Sequence, residues 1–411
     1  MNLEFFLARR IISSKDYKSS VSAPIIKIAI TAIILGMVVM LVSIATGVGL
    51  QKKIKEKVSA FNGDIIITNF DTNFSNDSQI PISKEQDFYP EFTSVEGIKH
   101  IQVSALKGGV IRTATDFEGV VVKGVGDDYN WEFFEDFLVE GKLPNFSGSI
   151  NDELLISEYL ANRLQLTIGD KAPTFFLNAE EGKRPRNIGF TIVGIYNSGF
   201  LEFDEQFIIA DIKQIQRLNK WDENQIGSFE VFVEDFNTIR ETGNKVYDEV
   251  GSTLDTQTIR DKYGSIFEWL DLFDFNIVLI IGIMILVASI NMITALLVLI
   301  LERTQMIGIL KALGSSDWAV RKIFLYNAMY LIGKGLFWGN VIGLGILFIQ
   351  KQFKLFPLDP TTYYVTEAPV YFDVVHILLL NIATFLLCLF FLLVPSYLIS
   401  KISPVKAIRF E

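Results

Sequence analysis

The sequence predicts an integral membrane α-helical protein: four transmembrane helices, with a large α+β domain outside the bilayer inserted between helices one and two. Three observations predict it. The chain has 411 residues, 50% hydrophobic, with 34 Phe. The apolar residues concentrate in four long runs almost free of charge, each long enough at about 1.5 Å per residue to cross about 30 Å of hydrocarbon. The stretch between the first two runs is acidic and mixes strand-like with helix-like patterns.

The elements follow in order. Residues 1–24 hold N-L-E-F-F-L-A-R-R, an apolar patch followed by Arg9 and Arg10. It reads as an interfacial helix on the inner leaflet, with a plain basic tail as the alternative. The first span, 25–50, contains the uncharged run Ile28–Leu50. It is longer than the h-region of a cleavable signal and no A-x-A-like site follows, so it reads as a retained anchor.

Residues 51–271 carry 22 Lys/Arg against 38 Asp/Glu, while the whole chain has a net charge of −10. That acidity argues against nucleic acid as a partner. Gly63–Phe70, Phe117–Val125 and Thr191–Ile195 are rich in β-branched residues and read as strands. Leu154–Leu166 starts as a strand, and Ser157 then caps a helix whose Leu160, Ala161 and Leu164 face inward. Gln214–Leu218 sits in a short helix. Ala172–Leu177 and Asn187–Ile195 read as paired strands, with the charged N-A-E-E-G-K-R-P-R, Asn178–Arg186, as the hairpin tip.

The second span is 272–301. A link, 302–318, reads E-R-T-Q-M-I-G-I-L-K-A-L-G-S-S-D-W. Its Met306, Ile309, Leu310 and Leu313 recur at i, i+3, i+4 and i+7, which predicts a small amphipathic helix. The third span, 319–350, contains Lys334, expected to face the bundle or reach an interface. Gly333, Gly335, Gly339, Gly343 and Gly345 make small-x-x-x-small patterns suited to close helix packing, and Asn291 of span two is a candidate for bonding across helices. Residues 351–371 carry Pro357, Pro360 and Pro369, so they form an outer loop rather than a helix, with Tyr363 and Tyr364 at the membrane interface. The fourth span is 372–400 and contains Cys388, the single cysteine, read as a buried apolar residue. The tail is 401–411.

Charge fixes the orientation. Arg9, Arg10, Lys15 and Lys18, then Arg303, Lys311, Arg321 and Lys322, then Lys401, Lys406 and Arg409 all fall on one side of four spans. The positive-inside rule makes that side cytoplasmic.

Chemistry is sparse. No G-x-x-x-x-G-K-[ST], H-E-x-x-H, C-x-x-C or G-x-S-x-G occurs, and the two His, His100 and His376, are far apart in sequence. No catalytic residue and no metal-ligating cluster is expected, so enzymatic activity is not expected of this chain.

The link resembles the cytoplasmic link of the FtsX-like ABC-transporter permeases, of the type E-[KR]-x-x-E-I-[AG]-[IL]-[LM]-[KR]-[AST]-[LMI]-G-A, departing from it at Gln305 and Met306. Pro395–Glu411 is similar to that family's ending, P-x-x-x-A-x-x-x-x-P-V-x-A-L-R. I-S-E-Y-L-A-N-R-L-Q-L-T-I-G-D, Ile156–Asp170, is similar to a motif of its external domain. Ile192–Asp204 and Leu358–Val370 resemble segments of the lipoprotein-releasing branch.

The resemblance implies a multi-pass protein of the bacterial inner membrane with a MacB-like periplasmic core. It implies a coupling helix, Glu302, Met306, Ile307, Gly308, Ile309, Leu310, Lys311, Leu313 and Gly314, seated in a groove of a separate cytoplasmic ABC ATPase dimer. Lys311 would stay on the rim and Gly314 would end the helix. No cofactor is expected in this chain, ATP and Mg²⁺ being bound by the ATPase. A second permease copy or a related permease, a lipoprotein substrate and a periplasmic lipoprotein carrier complete the implied partners. The tip residues Asn178, Lys183, Arg184, Pro185 and Arg186 are candidates for holding the carrier. Met37, Val38 and Leu41 are candidates for touching acyl chains. An FtsX-like transducer regulating a cell-wall hydrolase, or a small-molecule exporter, stays open as an alternative.

Overall fold

The computed structural model describes residues 3–13, 22–71, 79–177 and 185–403. Of the basic residues that set the orientation, Lys15, Lys18, Lys406 and Arg409 lie outside the described residues. The chain divides into two compact units. One is Met1–Leu50, Leu270–Pro357 and Glu367–Glu411; the other is Gln51–Trp269 and Leu358–Thr366.

In the first unit every apolar run is helical, as it must be where lipid offers backbone amides no hydrogen bond. Four helices among the described residues are long and apolar enough to cross a membrane. They are Ser22–Asn62, Gly264–Glu302, Asp317–Phe353 and Val374–Ser396, the last followed by a turn, Leu398–Lys401. Leu3–Ser13 is also helical, with Phe5 and Phe6 exposed, Ala8 buried, and the Phe5 ring 5.9 Å from Tyr326 of the third spanning helix.

The glycine stripe explains how the first and third spanning helices meet. A methyl group on Gly335 would lie 2.7 Å from Ile33, one on Gly339 2.6 Å from Met37, and one on Gly343 2.9 Å from Leu41. Gly333 and Gly345 face open space. Gly339→Leu should therefore force the two helices apart, costing about 1–3 kcal/mol as overpacking. It should lower the thermal midpoint of the detergent-solubilised protein, while Gly345→Ala leaves that midpoint unchanged.

One expectation about polar groups in the spans is corrected and another is narrowed. Asn291 donates within its own helix, to Val287 O at 2.9 Å. A bond across helices is made instead by Asn340 and Asn381, whose amides exchange hydrogen bonds of 2.7 and 3.0 Å between the third and fourth spanning helices. Of the two places expected for Lys334, the structure excludes the bundle: it lies exposed on the third helix, since the small face of that helix is taken up by the first. Cys388 is fully buried, as its apolar surroundings predict, with its sulfur 3.7 Å from Ser289 Oγ.

The second unit is built on a mixed sheet, ten-stranded among the described residues. Its strands are β1 (Ile65–Asn69), β3 (Ile98–Arg112), β4 (Phe117–Val125), β5 (Leu138–Gly141), β6 (Glu153–Ser157), β7 (Lys171–Phe176), β8 (Arg186–Tyr196), β9 (Phe207–Asp211), β11 (Ser228–Val233) and β12 (Leu254–Thr258). Two short strands, β2 (Ile82–Ser83) and β10 (Gln225–Ile226), pair separately. The path runs β12-β1-β11-β3-β4-β9-β6-β8-β5, and β7 joins β3 to β8. The β4–β9 and β6–β8 pairs are parallel, and the helices Ile212–Asn219 and Glu158–Leu164 pack on this unit. Ser157 caps Glu158–Leu164 by accepting from Leu160 N at 3.1 Å, and Leu160, Ala161 and Leu164 are buried.

The proline-rich segment is not wholly loop. Pro360–Tyr363 forms one helical turn, with Pro360 at the position where its missing N–H is harmless and Asp359 capping through Thr361 N. Tyr364 does not stand free as an interfacial ring. It stacks on Phe200 at 4.6 Å, and its carbonyl accepts from Lys57 Nζ at 3.1 Å.

Candidate functional site

The link between the second and third spanning helices is a helix, Thr304–Ala312. Its end is a Schellman motif: Gly314 N–H donates to Lys311 O and Ser315 N–H to Leu310 O, each at 3.0 Å. Gly314 takes φ +93°, a conformation in which glycine meets no Cβ penalty. Ser316 then caps the third spanning helix through Ala319 N.

The apolar residues of this helix do not share one face. Ile307 and Gly308 are buried, and Met306 and Leu310 pack half-buried against the unit's own core. Ile309 is 46% exposed and Leu313 79%, and they line up with the exposed Gln305 and Ala312. Glu302 is exposed just before the helix begins. The outward stripe is therefore Gln305, Ile309 and Leu313, one helical turn apart, flanked by Leu301 and Trp318, also exposed.

Lys311 is not on the rim. Its side chain is 8% exposed and lies 2.9 Å from Asp317. Its ammonium donates to the carbonyls of Ile399, Ser400 and Ile402. The cause is geometric: Lys311 lies on the helix face that turns toward the turn Leu398–Lys401, where its ammonium reaches the last carbonyls of that turn.

In the domain, β7 and β8 pair antiparallel up to Phe176 opposite Arg186, which makes the expected hairpin. Asn178, Lys183 and Arg184 lie outside the described residues. Pro185 is exposed beside an apolar cleft shared with Val110, Phe175 and Leu177. Arg186 is turned back onto the domain, donating to Arg217 O and Leu218 O at 3.2 and 3.0 Å. It thereby satisfies carbonyls at the C-terminus of Ile212–Asn219, where a cation is favoured.

Met37 and Leu41 are buried against Gly339 and Gly343, and Val38 is half-buried beside them. The face on which Met37 and Leu41 lie is spent on packing inside the chain, so they are not open to a lipid. The first spanning helix instead exposes Leu35 and Val39.

Sequence reasoning missed a buried ion pair in the domain. Lys123, 0% exposed, sits 2.7 Å from Glu230, whose side chain is 5% exposed. Burial pushes the Lys123 amine below its usual range, and Glu230 opposes that fall. Beside the pair lies a cavity of about 310 Å³ walled by Asn62, Phe203, Gln206, Lys262 and Tyr263. Lys262 and Tyr263 both donate to Asn62 Oδ1 at 3.0 Å, and desolvation lowers Lys262 to about 8. The signal was a lone Lys in the β-branched run F-E-G-V-V-V-K-G-V.

Comparison with known proteins gives two family matches. Residues 28–246 match the MacB-like periplasmic core domain, and residues 278–404 the FtsX-like permease C-terminal region. The chain is similar to the lipoprotein-releasing system transmembrane protein LolC of Neisseria meningitidis serogroup B, 23% identical over 100% of both chains. It is similar to LolC of Buchnera aphidicola subsp. Schizaphis graminum, 24% identical over 94% of each. It is also similar to the lipoprotein-releasing system transmembrane protein LolE of Haemophilus influenzae, 21% identical over 99% of each.

Proposed function

Because the chain belongs to the FtsX-like ABC-transporter permeases that carry a MacB-like periplasmic core domain, we propose that it is the permease subunit of a transporter that releases lipoproteins from the inner membrane. The observation that carries this reading is full-length similarity to LolC and LolE together with an outward apolar stripe on the link helix. A separate ATPase dimer, which binds ATP and Mg²⁺, seats that stripe in a groove. Two permease copies, identical or related, complete the two-fold assembly.

Physical chemistry says why ATP is needed. Each buried methylene of an acyl chain contributes about 0.8 kcal/mol, so a chain of about a dozen holds its lipoprotein by roughly 10 kcal/mol. Spontaneous release is then too slow. Acyl chains approach the exposed side of the first spanning helix, at Leu35 and Val39, rather than the buried Met37 and Leu41. The released lipoprotein passes to a periplasmic carrier held at the β7–β8 hairpin.

Depleting the protein should make outer-membrane lipoproteins accumulate in the inner membrane, seen by membrane fractionation. Unchanged sorting sinks the reading. Purified lipoprotein should also stimulate the ATPase of the complex, which neither a hydrolase transducer nor a small-molecule exporter predicts. Replacing residues 178–184 by a short Asn-Gly turn should abolish transfer to the carrier and leave assembly intact, measured by carrier pull-down. Normal transfer would remove the hairpin from the mechanism.

A further inference from the structure

We propose that Lys311 is a positioning residue: it ties the link helix to the inner ends of the third and fourth spanning helices, so that the three move as one body when the link helix is displaced. The proposal rests on the reading of that helix as the place where the ATPase acts, but it assigns Lys311 to the permease's interior rather than to the partner.

The geometry is specific. The Lys311 ammonium donates to Ile399 O at 2.7 Å, Ile402 O at 3.0 Å and Ser400 O at 3.2 Å, and lies 2.9 Å from the Asp317 carboxylate. Three protons thus serve four acceptors, with at least one shared. The carbonyls belong to the turn Leu398–Lys401 and to Ile402 just after it; that turn follows the fourth spanning helix, which contains Pro395, across Tyr397. Ile399 O also accepts from Ile402 N–H at 3.3 Å; the last carbonyls of a helical turn carry the negative end of its dipole, which favours a cation there. Asp317 lies in the first turn of the third spanning helix, where the dipole favours an anion. One side chain therefore joins the C-terminal end of one helix to the N-terminal end of another, from a third.

A compact ammonium suits this place. Its three donors converge on acceptors spread around one point, whereas the flat fork of arginine favours paired acceptors in a plane. A second tie makes the role of Lys311 separable from folding. Arg321 of the third spanning helix donates to Ser400 Oγ at 2.6 Å and lies 4.8 Å over the Tyr397 ring. The inner ends of the third and fourth spanning helices therefore stay joined without Lys311. The link helix keeps its own anchor in the fully buried Ile307. What Lys311 supplies beyond these is the connection between the link helix and the end of the fourth helix.

The test uses Lys311→Met, which keeps the length of the side chain and removes every donor, in the full chain co-expressed with its ATPase. The expected result is an ATPase that still co-purifies and hydrolyses ATP, with lipoprotein release per ATP lowered about tenfold, within the range that a coupling residue commands. A second readout needs no substrate. Spin labels on Ala312→Cys and Lys401→Cys, both exposed positions, report the distance between the link helix and the end of the fourth; Cys388 is buried and stays unlabelled. That distance should be narrowly distributed when Lys311 is present and broad in the Lys311→Met variant. Release near the parental level, a distance that stays narrow, or loss of ATPase binding would each overturn the proposal. So would failure to fold in both Lys311→Met and Lys311→Gln, which would make Lys311 a folding residue. If the unsubstituted protein itself releases no lipoprotein, the function proposed above fails, and the label distances still decide the role of Lys311.

Discussion

Ile309→Asp combined with Leu313→Asp should abolish co-purification of the ATPase while leaving the membrane unit as stable as before. Both side chains are exposed, at 46% and 79%, so the substitutions remove nothing from the chain's own core. Burying an Ile and a Leu in a partner's groove is worth about 1.5–3 kcal/mol each. Losing both, and asking the groove to desolvate two carboxylates, should weaken binding by about 100-fold or more, since each 1.4 kcal/mol is tenfold. Leu310→Asp, which the i, i+3, i+4, i+7 pattern nominates equally, is the wrong probe. Leu310 packs half-buried against the unit's core, so a carboxylate there disturbs the link helix itself. The measurement is ATPase recovered with the purified permease, read beside the thermal midpoint of the permease. Full recovery with Ile309 and Leu313 both replaced would remove this stripe as the docking face.

That contrast shows where sequence is a good guide and where it stops. The four spans were legible because hydrocarbon imposes one backbone solution on any long apolar run. The glycine stripe was legible as a packing device, and the structure adds which three glycines do the packing: Gly335, Gly339 and Gly343, each against the first spanning helix. On the link helix the period could not separate two apolar faces. Met306, Ile307 and Leu310 turn inward and Ile309 and Leu313 outward, yet a nine-residue helix with this many apolar positions fits several stripes. Met37 and Leu41 illustrate the same limit. Any apolar residue of a span can face lipid or another helix, and only the position of the neighbouring glycines decides. Lys311 and Arg186 failed as surface charges for a different reason. Each satisfies carbonyls at a helix end, and where a helix end lies in space is a property of the fold, not of local spacing.

The buried pair of the domain carries the second large effect. Lys123→Met or Glu230→Leu alone should destabilise the domain by about 3–5 kcal/mol, because each leaves an uncompensated buried charge. Lys123 Nζ lies within 2.7 and 2.9 Å of the two Glu230 oxygens and donates to Phe61 O at 2.7 Å. Glu230 also accepts from Gln102 Nε2 at 2.8 Å and Ser104 Oγ at 2.7 Å. Removing the lysine leaves a carboxylate served by neutral donors. Removing the glutamate leaves an ammonium with one carbonyl and the Tyr129 ring at 5.3 Å. The double substitution Lys123→Met/Glu230→Leu leaves neither charge, so it should cost clearly less than the sum of the two singles. The singles should lower the domain's thermal midpoint by about 6–20 °C, at about 2–4 °C per kcal/mol for a domain of this size, followed by near-ultraviolet circular dichroism. Simple additivity would mean that the two charges do not depend on each other. The location gives the pair its consequence. Phe61 is the next-to-last residue of the helix Ser22–Asn62, and its carbonyl is one that the helix itself cannot satisfy. Lys123, from the middle of the sheet, supplies the missing donor, and Tyr129 does the same for Ala60 O at 3.2 Å. Phe61, Lys123 and Glu230 all lie in the second unit, so the ion pair holds the last turn of that helix to β4 and β11 within it, and breaking the pair should free that last turn from the sheet.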